Sequence, residues 1–224
     1  MALLLFALTP LLAAADTLID TSSFWNGVGA VQPWGPSPNT DTYGQTFTVG
    51  SDTLLGSFSF NIDNSSGLSI PYTARVYQWN SVTQRAVGPA LFVSPISSVA
   101  STGSYQVVTA TPGINLTSGL QYIALFTTSG AWQGGVAPGA FFAAIFHNGG
   151  NGMTDVYPGG GFVDASVGNN PSLLTSASWN QTAGDLWFQA NLITTPVPEP
   201  PSLLLIIAGL FGMSVTLKKR LSLV

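Results

Sequence analysis

The chain has 224 residues, and charged side chains make up only 6% of them, against roughly 25% in an average soluble domain. Five Lys or Arg residues cannot build the basic patch that a phosphate backbone demands, which excludes a nucleic-acid partner. With no cysteine, one histidine and one glutamate, disulfides, thiolate nucleophiles and zinc–thiolate sites are excluded as well, along with most of the usual parts for acid–base catalysis.

Residues 1–15 carry no charged side chain. The apolar run Leu3–Leu12 has the length of a signal-peptide h-region, and Ala13-Ala14-Ala15 before Asp16 offers an A-x-A cleavage signal. A signal peptide over 1–15, cut between Ala15 and Asp16 with Ala13 as the second small residue, is therefore expected. The alternative is a buried N-terminal helix, against which Pro10 argues. Signal peptides open with Lys or Arg, so the leader is expected to begin upstream, with Met1 internal to it.

Residues 16–195 read as one all-β domain. Alternation is their main signal: Phe58, Phe60 and Ile62 share one face of Gly56–Ile62, and Ser57, Ser59 and Asn61 share the other. Within Asp185–Leu192, Leu186, Phe188, Ala190 and Leu192 face inward and Trp187 faces outward. Further strands are expected at Leu18–Thr21, Gln45–Val49, Tyr72–Trp79, Ala90–Ser94, Tyr105–Thr109, Tyr122–Thr127 and Phe141–Phe146. Turn-rich segments such as Asp63-Asn64-Ser65-Ser66-Gly67 separate them. Many short strands with this punctuation predict a single antiparallel β-sandwich, jelly-roll-like in form.

Chemistry in this body is sparse. His147 reads as a hydrogen-bonded loop residue rather than a catalyst. The chain has no Gly-x-Ser-x-Gly elbow, no His-Glu-x-x-His and no phosphate-binding loop, so no catalytic residue and no enzyme activity is expected. A pair of distant Asp residues acting as a hydrolase is the least favoured reading. No metal site or cofactor is assigned. A structural calcium is left open, because hard cations take Asp carboxylates and loop carbonyls. The aromatics are the better lead. Trp25, Trp34, Trp132 and Tyr157 lie in turn-rich segments beside Asn and Asp, a composition suited to stacking on sugar rings and bonding their hydroxyls. The competing reading is that these rings cap the ends of the core. Asn64, Asn115 and Asn180 head Asn-x-Ser/Thr triplets, which are chance matches if the protein is bacterial.

The C-terminal region 196–224 is organised differently. Val197-Pro198-Glu199-Pro200-Pro201 precedes an uncharged apolar stretch, Ser202–Leu217, and then Lys218, Lys219 and Arg220 supply three of the five basic residues. As a helix the stretch spans about 24 Å, short of the hydrocarbon core unless flanking residues extend it. The basic cluster places its own end in the cytoplasm and the body outside the inner membrane. A buried core helix would use the same residues, but the prolines detach this one from the domain.

Pro-Glu-Pro, a short hydrophobic span and a terminal basic cluster, in that order, resemble the PEP-CTERM sorting signal. The resemblance implies an exported protein of a Gram-negative, exopolysaccharide-producing bacterium. It also implies recognition of Pro198, Glu199 and Pro200 by an exosortase, a membrane-embedded cysteine peptidase that removes the helix. The strand order of the body also looks like the domain found in many proteins with this signal, though it transfers no activity. The expectation is thus a non-enzymatic component of the cell surface or exopolysaccharide matrix, first anchored in the inner membrane with its domain in the periplasm. A carbohydrate-binding module is the alternative.

Overall fold

The computed structural model describes residues 16–31, 33–146 and 152–194. The signal peptide with Ala13 and Ala15, the sorting signal with Val197, Pro198, Glu199, Pro200, Lys218, Lys219 and Arg220, and His147 lie outside the described residues. Among the described residues, no helix is long and apolar enough to cross a membrane.

In chain order the strands are β1 (Thr17–Asp20), β2 (Thr42–Thr48), β3 (Leu54–Asp63), β4 (Ile70–Asn80), β5 (Arg85–Val93), β6 (Ser97–Val99) and β7 (Tyr105–Ala110). They continue with β8 (Ile114–Asn115), β9 (Gln121–Thr127), β10 (Phe141–Phe142), β11 (Phe162–Ala165), β12 (Asn180–Gln181) and β13 (Phe188–Ile193). They form two antiparallel sheets packed as a sandwich. Sheet one runs β1-β13-β3-β10, with β7 and β8 also paired to β3; sheet two runs β12-β11-β2-β9-β4-β5, with β6 on β4. The strands expected at Gly56–Ile62, Tyr72–Trp79, Tyr105–Thr109 and Tyr122–Thr127 fall within β3, β4, β7 and β9.

Alternation explains sheet one. Phe58, Phe60 and Ile62 of β3 pack with Phe188, Ala190 and Leu192 of β13 inside the sandwich. Of the residues expected on the other face, Ser57 is half-buried, but Ser59 and Asn61 are buried, Ser59 against the Thr109 hydroxyl of the neighbouring β7 at 2.8 Å. Across the interior stand Tyr43, Phe47, Tyr122 and Phe126 from sheet two. The Phe60 ring lies 5.1 Å from Phe126 and 5.3 Å from Phe188, centroid to centroid, within the range where aromatic pairs attract.

Sheet two does not alternate, because both its faces are covered. Its inner residues join the main core. Its outer residues Tyr77, Trp79, Ile123, Leu125, Val163 and Ala165 form a second core with Leu174 and Trp179. The cover is the segment after β11, which turns through a short 3₁₀ helix at Pro171–Thr175. Trp179 stands edge-on to Trp79 at 5.6 Å and donates its indole N–H to the Leu174 carbonyl at 3.0 Å.

Several expected strands change extent: Gln45–Val49 lies at Thr42–Thr48, and Ala90–Ser94 at Arg85–Val93. Phe141–Phe146 is ladder only at Phe141–Phe142; beyond it Ala143, Ala144 and Phe146 make single bridges to Ala30, Leu186 and Met153 in turn. Asp185–Leu192 becomes regular only at Phe188, because the Asp185 side chain is tied into a network described below. Trp187, expected on an open outward face, is 9% exposed. Its backbone N–H binds the Ala143 carbonyl at 2.8 Å, and Ala143 in turn binds Asn61, so the β10 connection crowds the position from the side.

The domain closes on itself. β1 pairs with β13 from Thr17↔Leu192 to Asp20↔Gln189, and the Thr194 N–H donates to Asp16 at 3.2 Å. Asp52 accepts from the hydroxyls of both Thr17 and Thr194, the latter at 2.8 Å. Asp16 and Thr194 therefore leave the domain side by side.

Candidate functional site

The four aromatic candidates do not converge. Trp34 is 0% exposed: its indole N–H donates to the Asp41 carbonyl at 3.2 Å, and its ring stands edge-on to Phe142 at 5.2 Å and to Tyr72 at 6.1 Å. It presents no face to a ligand, so this ring is core. Turn composition placed it in a loop correctly, but composition does not say which way a side chain points. Trp25 is half-buried, with its N–H on the Gly29 carbonyl at 2.8 Å and its ring 4.7 Å from Tyr105. Trp132, also half-buried, lines a cleft of about 90 Å³ with Pro36, Ser37 and Asn169. Tyr157 hydrogen-bonds through its hydroxyl to the Thr48 N–H at 3.2 Å. Trp132 neighbours Thr128, whose N–H binds Asp41 just before β2, whereas Tyr157 lies at the far end of that strand.

Of the three Asn-x-Ser/Thr asparagines, Asn64 is buried and donates to the Leu68 and Val99 carbonyls at 2.8 and 2.9 Å. Asn115 is exposed, and exposed Asn180 donates to Asp164.

Two buried carboxylates organise loops. Asp41 accepts from the Thr42 hydroxyl at 2.7 Å and from the Val167 and Gly168 N–H groups at 2.8 and 2.7 Å. Asp185 accepts from Gln45 Nε2 at 2.6 Å and from the Val156 and Tyr157 N–H groups at 2.7 and 2.8 Å. The Gln45 carbonyl oxygen accepts in turn from the Leu186 N–H at 3.1 Å. Neither carboxylate opens toward a substrate position, since in each one oxygen accepts from a neighbouring side chain and the other from two backbone N–H groups.

A third carboxylate is placed otherwise. In β11, Phe162 and Asp164 face the sandwich interior, and Val163 and Ala165 face the second core. Cross-strand pairing aligns Asn180, Asp164, Tyr43, Phe126 and Ala74 in one row. The last three are main core, so Asp164 and Asn180 continue an apolar row with polar groups where sheet two ends. Asn180 donates to Asp164 Oδ2 at 2.9 Å. Facing them is a groove of about 560 Å³, walled by Tyr43, Phe162, Phe146 and Met153, with Thr182 at its edge. That volume lies within the ordinary range of small-molecule sites. Asp164 carried no signal in the sequence, and Asn180 stood out there only as the head of an Asn-x-Thr triplet. Only the strand register brings them beside Tyr43.

No group of three or more His, Cys, Asp or Glu side chains comes together among the described residues in a way that could hold a metal ion. In comparison with known proteins, no family model, no curated protein and no solved structure matches this chain.

Burial pushes the carboxyls of Asp41, Asp164 and Asp185 above the ordinary value of 3.8, against the pull of their hydrogen bonds. Asp52 is lowered by the Thr17 and Thr194 hydroxyls. Asp20 is raised by burial but lowered more by its bonds from Ser22 and Gln189, for a net fall. A group whose folded pKa is raised contributes stability that is present below the unfolded value and lost as pH rises through the folded one. Stability should therefore increase as pH falls from neutral toward 3.8, while Asp41, Asp164 and Asp185 take up protons. It should decrease at still lower pH, as Asp20 and Asp52 lose their ionised forms. Denaturant midpoints measured between neutral and acidic pH would check this; a steady decline on acidification would contradict it.

Proposed function

We propose that this protein is an exported, non-enzymatic component of a bacterial cell surface or exopolysaccharide matrix. Its jelly-roll-like sandwich is delivered by a signal peptide and sorted through a C-terminal PEP-CTERM-type signal. The observation that carries the reading is the order of parts from 197 to 220: Pro198-Glu199-Pro200, the uncharged span Ser202–Leu217, then Lys218, Lys219 and Arg220. Lys and Arg stay on the cytoplasmic side, which puts the domain outside the inner membrane. An exosortase-like peptidase then cuts near Pro-Glu-Pro and releases the domain from its anchor.

The composition of the body fits such a destination. Between Asp16 and Pro198 there are eight Asp and two Arg, so solubility rests on Ser, Thr, Asn and Gln. A surface of this kind repels little across a Debye length of about 8 Å and suits close packing among neutral polymers.

The test is a triple substitution, P198A/E199A/P200A, in the producing organism. The expected result is a chain of unprocessed mass held in the inner-membrane fraction, while the parent chain is shorter and found at the surface or in the medium. Identical mass and fractionation for the two chains would overturn the sorting reading.

The second reading is that the domain binds glycan. It is favoured by the half-exposed Trp25 ring beside Tyr105 and by the polar outward residues Ser57 and Thr109 on sheet one.

A further inference from the structure

We propose that the groove between β11 and the Phe146–Met153 bridge binds a neutral saccharide unit, with Asp164 and Asn180 as its hydroxyl-binding pair and Phe146 as an apolar wall. The ligand class rests on the glycan reading above, but the site is a different one from Trp25, Trp34, Trp132 and Tyr157.

The argument starts from a local rule that the fold breaks. Positions facing the interior of a sandwich are apolar because an unpaired carboxylate there loses its hydration. Asp164 occupies such a position, half-buried, in the same row as Tyr43, Phe126 and Ala74. It accepts one hydrogen bond, from Asn180 on Oδ2; no described residue donates to Oδ1. Asp41 and Asp185, by contrast, each accept three. Asp164 thus keeps acceptor capacity that Asp41 and Asp185 have spent.

An inward charge near a sheet end also discourages edge-to-edge pairing. That role alone needs no cavity in front of the charge, yet a groove of about 560 Å³ stands there, with aromatic and methionine walls. What the groove offers is mixed. The Asp164 carboxylate accepts only. The Asn180 amide both donates and accepts, as does the Thr182 hydroxyl at the rim. A vicinal diol requires this mixture, since each hydroxyl gives one hydrogen bond and takes others. Ring C–H faces of the same ligand would lie on Phe146, which is half-buried. An ammonium ligand would want acceptors alone and would leave the second Asn180 amide proton, the one not bonded to Asp164, without a role.

The test uses the full chain in a zwitterionic detergent without sugar headgroups, titrated by calorimetry with cellobiose, lactose, mannobiose and diacetylchitobiose, and with butylammonium as a cationic probe. At least one disaccharide is expected to bind. Asp164→Asn and Asn180→Ala are each expected to weaken it by about tenfold or more, the loss of one hydrogen bond to a charged or amide partner. Val82→Ala, at an exposed turn outside the groove, should leave it unchanged. In the unsubstituted protein, the Asn180 side-chain amide and Phe146 ring resonances should move on titration, a readout independent of whether the variants fold. Binding that is lost in Trp25→Ala or Trp132→Ala but kept in Asp164→Asn and Asn180→Ala would overturn this site and leave the glycan reading standing. No binding of any of the four disaccharides would overturn both. Preference for butylammonium would overturn the ligand class.

Discussion

Trp34→Ala is expected to destabilise the domain by about 3–5 kcal/mol, the range for removing a fully buried large aromatic side chain. Three losses combine. The ring fills a core position at 0% exposure, it stands edge-on to Phe142 and Tyr72, and its N–H satisfies the Asp41 carbonyl. The surrounding wall is unable to collapse into the space, because Trp34 itself is bonded to Ala140 on both sides, N–H to carbonyl at 2.6 Å and the reverse at 2.8 Å. Equilibrium denaturation would measure the effect, and a cost below about 1 kcal/mol would show that the ring is not core. Any loss of polysaccharide retention in this variant would be a consequence of unfolding. Trp25→Ala, at a half-exposed ring, is the informative substitution for binding.

The second large effect is expected from Asp185→Ala. The carboxylate is 0% exposed and satisfies Gln45 Nε2 and the backbone N–H groups of Val156 and Tyr157. Removing it strands buried donors at about 1–3 kcal/mol each, with water entry offsetting part of that, so a total near about 3 kcal/mol is expected. Asp185→Asn should cost less, since one oxygen remains to accept while its new amide N–H group opposes donors. Because Asp185 pins residues 156 and 157, the alanine variant should also free the Tyr157 hydroxyl from Thr48. Enhanced proteolysis near Tyr157 would report this. Equal stability of the two variants would mean that the carboxylate geometry is immaterial, and the network account would fail.

How much of this was legible in the sequence depended on which faces of a strand meet water. Gly56–Ile62 and Asp185–Leu192 alternate because their inward residues join the main core and their outward ones do not, and reading their inward residues succeeded. β2 and β9 carry near-continuous burial, since the Pro171–Trp179 cover lies over sheet two, so their two faces look alike in sequence. β8, β10 and β12 have two residues each, too few to show any period. Trp34 turned out to be core for a different reason. Trp34 and Trp132 both sit in Gly- and Pro-rich stretches, and only the tertiary fold sends one ring inside and leaves the other half-exposed. The Asp164–Asn180–Tyr43 row was invisible because its members are joined by register across β12, β11 and β2, and register is a property of the folded sheet.

Gly160 shows how close the packing at the mouth of β2 has become: a Cβ there would lie 1.8 Å from the Thr46 carbonyl oxygen.

The second core changes what an opening of this molecule would look like. Sheet two is a partition with apolar matter on both sides, and the cover over its outer side is a single connected stretch ending at β12. Lifting that stretch would expose Trp79, Ile123 and Leu125 while leaving the aromatic interior between the sheets untouched. The expected result in hydrogen exchange is that amide protons of the cover exchange first and those of β2 and β9 last; uniform protection of the two would contradict it. Such an opening would present a fresh hydrophobic strip along sheet two, and at high concentration that strip, more than the sparse charge of the surface, would govern how copies of the chain adhere to one another.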